Sequence, residues 1–273
     1  MRIRDALEQA RWLGVDRLDA QLLLARLFGR QRAWLLAHDD EPLDEAQAAA
    51  WHAQLSRRAA GEPLAYVIGH AEFRGLDLQV SPAVLVPRPE TELLVEWALE
   101  LLPIGAADEV VDLGTGSGAI AIALQHERPR VRITATDASA DALAVARANA
   151  ARHAPDVAFA LGDWWQAVAG RRFALALSNP PFVAGDDPHL RALGHEPRSA
   201  LTPEGDGLAA LRRIVDEAPG HLQPGAWLLL EHGHDQPAAV QQLLAGRGFV
   251  TTSTRADLAG LPRCSGGRWP SAN

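Results

Sequence analysis

The segment Glu109-Val110-Val111-Asp112-Leu113-Gly114-Thr115-Gly116-Ser117-Gly118 constrains this chain more than any other, because a strand-like run passes directly into three alternating glycines. The apolar stretch Ala119 to Gln125 behind it reads as the helix that follows. Strand, tight turn and helix in succession call for a mostly parallel sheet, since a parallel partner is reached only by a crossover. Glycine accepts positive φ and lets a ligand approach the backbone at a helix amino terminus. A carboxylate ending the next strand, Asp137 in Val131-Arg132-Ile133-Thr134-Ala135-Thr136-Asp137, is placed to accept from two ribose hydroxyls. The glycines fall at every second position, which departs from the dinucleotide fingerprint and gives no sign of a pyrophosphate cradle.

Two further strand ends carry chemistry. Ala158-Phe159-Ala160-Leu161-Gly162-Asp163-Trp164-Trp165 sets an acid that can accept from an adenine amine beside a ring that can stack on it, with Trp165 expected in the core. The run Phe173-Ala174-Leu175-Ala176-Leu177-Ser178 then ends at Asn179-Pro180-Pro181-Phe182. Two prolines fix φ near -65° and remove two backbone donors, which leaves the Asn179 amide and the Pro180 carbonyl as acceptors at a strand's carboxyl end. Two acceptors match the two N–H groups of a planar amide or exocyclic amine, and Phe182 offers a face for it to lie on.

These motifs occur in the order and spacing of S-adenosylmethionine-dependent methyltransferases acting on planar nitrogens. With Phe73-Arg74-Gly75-Leu76-Asp77, Val86-Pro87-Arg88-Pro89-Glu90-Thr91-Glu92, Glu196-Pro197 and Leu228-Leu229-Leu230-Glu231-His232-Gly233, the chain resembles the release factor glutamine methyltransferases from residue 5 to 270 or so. The resemblance implies S-adenosylmethionine as cofactor and methylation of the glutamine side-chain amide in the Gly-Gly-Gln loop of peptide-chain release factors. It implies a Rossmann-like seven-stranded α/β sheet with one antiparallel strand. Cofactor contacts are expected from Asp112, Gly114, Thr115, Gly116, Gly118, Asp137, Asp163, Trp164 and Asn179. Catalysis is expected from Asn179, Pro180 and Phe182, and substrate binding from Asn179, Pro180, Pro181 and Phe182. The family commonly has tyrosine where this chain has Phe182, so no phenolic hydroxyl acts there. Asp257 to Trp269 resembles the family's closing strand only loosely, and no role is assigned to it.

Three parts are expected: a helical substrate-docking domain over 1–70, a β-hairpin linker over 71–88 and a methyltransferase domain over 89–273. Leu18, Leu22, Leu23 and Leu27 recur at helical spacing, and Asp44 is placed to cap a helix through Arg58. Glu90 and Glu92 sit at a helix start, where carboxylates suit the dipole, and read as structural. Arg88 is left open between packing and a substrate contact.

All 26 basic residues are arginine. Residues 1–75 carry 10 arginines against 11 acids and residues 76–273 carry 16 against 23, so neither half has the basic stripe that phosphate neutralisation requires. A protein substrate is favoured over nucleic acid. The ten histidines show no ligand spacing with the single cysteine, Cys264, so no metal site is expected. With no run of about 18 apolar residues, the expected location is the cytoplasm, without membrane contact, as a monomer. Other readings are a sister methyltransferase acting on a glutamine of a ribosomal protein, a nucleic-acid amino-methyltransferase, and a non-catalytic module retaining a cofactor fold.

Overall fold

A computed structural model describes residues 1–271 as two units, Met1–His70 and the chain from Ala71 onward. The first contains five helices, α1 (Ile3–Trp12), α2 (Arg17–Phe28), α3 (Arg32–Ala37), α4 (Glu45–Ala59) and α5 (Leu64–Ile68). Their boundaries have local causes. The Asp16 carboxylate accepts from the Leu18 amide at the start of α2, and Gly29 ends that helix in the left-handed conformation. Asp44 and Gln47 form a reciprocal capping box at α4, the helix the sequence places there. Ile3, Leu23, Leu24, Leu35, Trp51 and Leu55 are buried together. On α2 the leucine spacing identifies the helix, but not every leucine of that set faces inward. Ala20, Leu23 and Leu24 are buried at i, i+3 and i+4, whereas Leu18 and Leu22 are 44% and 36% exposed. Two alternative apolar stripes run along this helix, and the one containing the small Ala20 is the one that packs.

The strands β1 (His70–Phe73) and β2 (Leu76–Gln79) form a hairpin through Arg74 and Gly75, both at positive φ. The expected hairpin over 71–88 is therefore shorter, and residues 81–88 are irregular. Pro82 and Pro87 have no amide hydrogen for a ladder there. The chain continues through α6 (Glu92–Leu101), β3 (Glu109–Leu113), α7 (Ala119–Glu127), β4 (Arg132–Asp137), α8 (Ala140–His153), β5 (Ala158–Leu161) and β6 (Phe173–Ser178). There follow α9 (Arg198–Leu201), α10 (Ala209–Glu217), β7 (Leu222–Glu231), α11 (Pro237–Arg247), β8 (Val250–Ala256) and β9 (Pro262–Arg268).

The seven later strands form one sheet in the order β5-β4-β3-β6-β7-β9-β8, parallel except for β9, which runs antiparallel to both neighbours. This is the Rossmann-like arrangement that the resemblance implies. Alternate residues serve opposite layers, as expected of strands buried on both faces. Val110 packs with Leu94, Trp97 and Ile122 from α6 and α7, while its neighbour Val111 packs with Leu211, Ile214 and Val240 from α10 and α11. The order in which strands are laid down reverses between the parallel β3 and β6, and a crevice opens at their carboxyl ends. The buried Asn149 of α8 ties the hairpin to that edge. It accepts from the Gln79 amide and donates to the carbonyls of Gln79 and Ser117. Among the described residues no helix is long and apolar enough to cross a membrane.

The stretch from Asp257, without a role in the sequence, supplies β9, the strand between β7 and β8. Its glycines are there because the layer above comes too close for a side chain. A Cβ on Gly266 would lie 2.5 Å from Leu229 Cδ2 and 3.0 Å from Trp97 Cη2. Gly266→Ala should therefore lower unfolding free energy by about 1–3 kcal/mol, the usual cost of overpacking. Denaturant unfolding measures this, and an unchanged midpoint would mean that β9 does not pack in this register.

Candidate functional site

The crevice is a cavity of about 520 Å³ lined by the glycine turn, the ends of β4 to β6, and the segments around Arg88 and Pro197. The turn is braced from two sides. Thr115 donates its hydroxyl to Asp112 Oδ2 at 2.6 Å and its amide to the Thr136 carbonyl at 2.8 Å. Asp137 accepts from the Gly116 amide through Oδ2 and from the Ser139 amide through Oδ1, both at 2.9 Å. Gly114, at φ 73°, faces the Trp164 ring, and a Cβ there would approach its Cζ3 to 3.1 Å. Trp164 itself takes φ 48°, a left-handed conformation costing a bulky residue about 1–2 kcal/mol.

The expected cofactor residues divide in two. Gly114, Thr115, Gly116, Asp137, Asp163, Trp164 and Asn179 all line the cavity. Asp112 and Gly118 stand behind it. Gly118 makes room for helix packing, since a Cβ on it would lie 2.8 Å from Ile122 Cδ1 and 3.3 Å from Ala146 Cβ of α8. Asp112 is fully buried, and desolvation pushes its carboxyl up to about 7, against the lowering effect of the Thr115 hydroxyl. The nearby Asp137 charge raises it further. The adjacent tryptophans part as the sequence suggests: Trp165 is buried, donates to the Ile214 carbonyl and stacks on His221. The Asp163 carboxylate, expected to accept from an adenine amine, is paired with Arg213 of α10.

Of the tetrapeptide, Asn179 and Pro181 reach the cavity and Pro180 and Phe182 do not line it. The Phe182 ring leans on the core that holds Trp165 and Leu211, and its carbonyl accepts from Gln236. Asn179 donates through Nδ2 to Thr91 Oγ1 at 3.1 Å, and its Oδ1 has no hydrogen-bond partner among the described residues. Nor has the Pro180 carbonyl. The chain therefore offers two unused acceptors at the end of β6.

Residues the sequence reading missed lie around this point. Thr91 is buried and accepts from Asn179, and Glu231 is buried at the end of β7 with its Oε2 without a hydrogen-bond partner among the described residues. Burial pushes the Glu231 carboxyl up to about 7. Glu196 accepts from the Val86 amide at 3.1 Å and pairs with Arg88, which also lines the cavity. His232, between Ser265 Oγ and the Gly233 carbonyl, is a strand-end polar residue as expected. No group of three or more His, Cys, Asp or Glu side chains suited to a metal ion occurs among the described residues.

Residues 90–208 match the family described as the methyltransferase small domain, and residues 1–69 match the one described as the PrmC N-terminal domain. Sheet and family together define a methyltransferase. The release factor glutamine methyltransferase of Bordetella pertussis is 51% identical over 257 residues, covering 93% of this chain and 95% of that protein. That of Xylella fastidiosa is 49% identical over 94% of each. The chain belongs to the release factor glutamine methyltransferase family. Among solved structures, a methyltransferase from Pyrococcus furiosus has a TM-score of 0.55 at 19% identity, covering 81% of this chain and 98% of its own. The Thermus thermophilus 16S rRNA N2 G1207 methyltransferase, solved with AdoMet and guanosine, has a TM-score of 0.54 at 18%, covering 73% and 49%. At these identities the likeness is one of fold.

The Asp112 environment sets a testable pH dependence. Its folded value of about 7 lies above the ordinary 3.8, so the folded chain holds a proton that the unfolded chain has lost between those values. Stability contributed by this group is present below pH 4 and is lost as pH rises through 7. Asp112→Asn should gain stability relative to the parent on going from pH 5 to pH 8, by roughly 2–4 kcal/mol at 1.36 per unit. Denaturant midpoints at both pH values give this difference, and a difference independent of pH would mean that Asp112 is ionised throughout.

Proposed function

We propose that the protein transfers a methyl group from S-adenosylmethionine to the side-chain amide nitrogen of the glutamine in the Gly-Gly-Gln motif of peptide-chain release factors. The substrate rests on the relatives named for release factor glutamine methylation. The reaction type rests on one observation: Asn179 gives its N–H to Thr91 and keeps Oδ1 for the cavity.

The residues present fit S-adenosylmethionine. Its sulfonium supplies an electrophilic methyl group. Gly114, Thr115 and Gly116 would hold it by close backbone approach, which a Cβ at Gly114 would obstruct by pressing on Trp164. Asp137 keeps lone pairs for ribose hydroxyls after accepting from Gly116 and Ser139. Trp164 would stack on the adenine. Asp163, with one oxygen on Arg213, would accept from the adenine amine.

An amide nitrogen is a poor nucleophile because its lone pair is delocalised. The Asn179 oxygen at the cavity orients the substrate –NH2 and stabilises the positive charge that develops on it, without a strong base. Phe182 supports this turn from the core side and supplies no hydroxyl. The alkylated amide is acidic and releases its proton readily. Glu90 and Glu92 stay structural at the start of α6.

Incubation of the purified protein with labelled S-adenosylmethionine and a release factor, followed by mass spectrometric mapping, should place one methyl group on the Gly-Gly-Gln glutamine. Label elsewhere, or none, overturns the proposal. Asn179→Ala should leave cofactor affinity nearly intact and slow single-turnover methyl transfer by roughly 10²–10³-fold, the effect of losing one oriented partner in the transition state. A rate within threefold of the parent removes Asn179 from the chemistry. Trp164→Ala should cost about 1–3 kcal/mol of cofactor affinity through lost stacking, whereas Trp165→Ala should mainly lower stability. Calorimetric titration and melting of the two variants would expose the opposite assignment.

A further inference from the structure

A carboxylate that reads one edge of a base has to be held still. Asp163 lines the cavity in a loop that strains against this, because the next residue, Trp164, sits at φ 48° in the left-handed region. The loop is fixed from outside. The Gly162 amide donates to the Asp137 carbonyl at 3.0 Å, which joins the loop to the end of β4. Two consecutive residues of α10 hold the positions on either side of Trp164. Arg213 donates through Nη1 to Asp163 Oδ2, and the Ile214 carbonyl accepts from Trp165 Nε1 at 2.9 Å.

We infer that Arg213 is a positioning residue that sets Asp163 to recognise the amino edge of adenine and to reject a base with a keto oxygen there. This rests on the reading of Asp163 as the acceptor for the adenine amine. Arg213 is not among the residues that line the cavity, so it acts through Asp163. Two acids fix its guanidinium: Nη1 is on Asp163, and Nε donates to Glu217 Oε1, one helical turn further along α10, at 3.0 Å. A planar group held at two of its nitrogens leaves the carboxylate it grips little freedom to turn. Asp163 Oδ1 has no hydrogen-bond partner among the described residues, and it is the oxygen left for a ligand.

Selectivity follows from which groups donate. The 6-amino group of adenine donates and an ionised carboxylate can only accept, whereas a 6-keto oxygen would set acceptor against acceptor. Two changes would relax that conflict: a donor freed beside the carboxylate, or a carboxylate free to turn away. The Arg213 bonds oppose both, since they occupy its Nη1 and Nε and hold Asp163 in place. Asp163, Arg213 and Glu217 are all half-buried, and ion pairs at such exposure contribute little to stability, so substitutions at Arg213 should leave the fold intact.

Calorimetric titration of S-adenosylhomocysteine, the demethylated cofactor, against S-inosylhomocysteine, its analogue with a keto oxygen in place of the amino group, tests this without any protein substrate. The parent should prefer the adenosyl compound by roughly 10²-fold, because the inosyl oxygen meets an acceptor. Arg213→Met, which keeps the length and loses the donors, should weaken the adenosyl compound about tenfold and the inosyl compound less than about twofold, the pattern of a loosened hydrogen bond to a charged group. Arg213→Lys, which keeps a cationic donor, should recover most of the loss. Asp163→Asn, whose amide can present either end, should bring the two affinities within about tenfold of each other. A methionine variant that weakens both compounds alike or keeps the full preference overturns the inference, as does a lysine variant no better than methionine or an asparagine variant as selective as the parent. A parent that binds neither compound defeats the cofactor reading and the inference with it. One that prefers the adenosyl compound yet methylates no release factor defeats only the proposed substrate.

Discussion

The arrangement of this domain depends on β3 and β6, neighbours that are buried on both faces and from which the chain departs in opposite directions. Where two such strands end, their ladders stop, and the last carbonyls and amides need other partners or water. Side chains supply them here. The Ser178 hydroxyl at the end of β6 donates to the Leu113 carbonyl at the end of β3, at 2.7 Å. The Gly162 amide reaches back to the Asp137 carbonyl, and the Thr115 amide to that of Thr136. The crevice is held open by satisfied polar groups, so a ligand meets a shaped surface and little ordering remains to oppose binding.

Four acids stand at this same edge, and their surroundings give each a different part. Asp112, without solvent, holds a hydroxyl and favours its neutral form. Asp137, half-buried, spends one lone pair per oxygen on backbone amides and keeps the rest for the cavity. Asp163 meets a guanidinium that fixes its direction. Glu231 is buried at the end of its strand, which pushes its carboxyl up to about 7. Residue type does not decide function here. Burial and the nearest donor do.

This explains which parts of the site were legible in the sequence. Strand, glycine turn and helix could be read because each needs only local residue types, and the same holds for Asp44 at α4 and for the turn at Asn179-Pro180-Pro181-Phe182. The contacts that could not be read join elements far apart in the chain. Arg213 pairs with Asp163 across 50 positions, and Thr91 meets Asn179 across 88. Gly118 was read as a ligand contact because a glycine in a turn looks the same whether backbone, ligand or another helix occupies the space beside it. Phe182 was read as a substrate platform because an exposed turn and a core-backed turn share one sequence. The inner face of α2 is not fixed by the sequence for a related reason: periodicity identifies a helix and its candidate stripes, and the neighbouring helices select among them.

The irregular segment 81–88 shows how such distant contacts finish the site. On its own, a stretch broken by Pro82 and Pro87 has few ways to hold a fixed course. Glu196, whose side chain is 2% exposed, gives it one by taking the Val86 amide on one oxygen and the Arg88 guanidinium on the other. Removing water from that carboxylate is costly unless both oxygens are satisfied, and this segment satisfies both. The preference is mutual: the segment needs an anchor and the buried acid needs donors. Arg88 is thereby held at the cavity, which it lines, while Val84, Leu85 and Pro87 are laid along it as its apolar wall. One wall of the site is thus set by a side chain over 100 residues away, for the same reason that the opposite wall is set by the end of a strand.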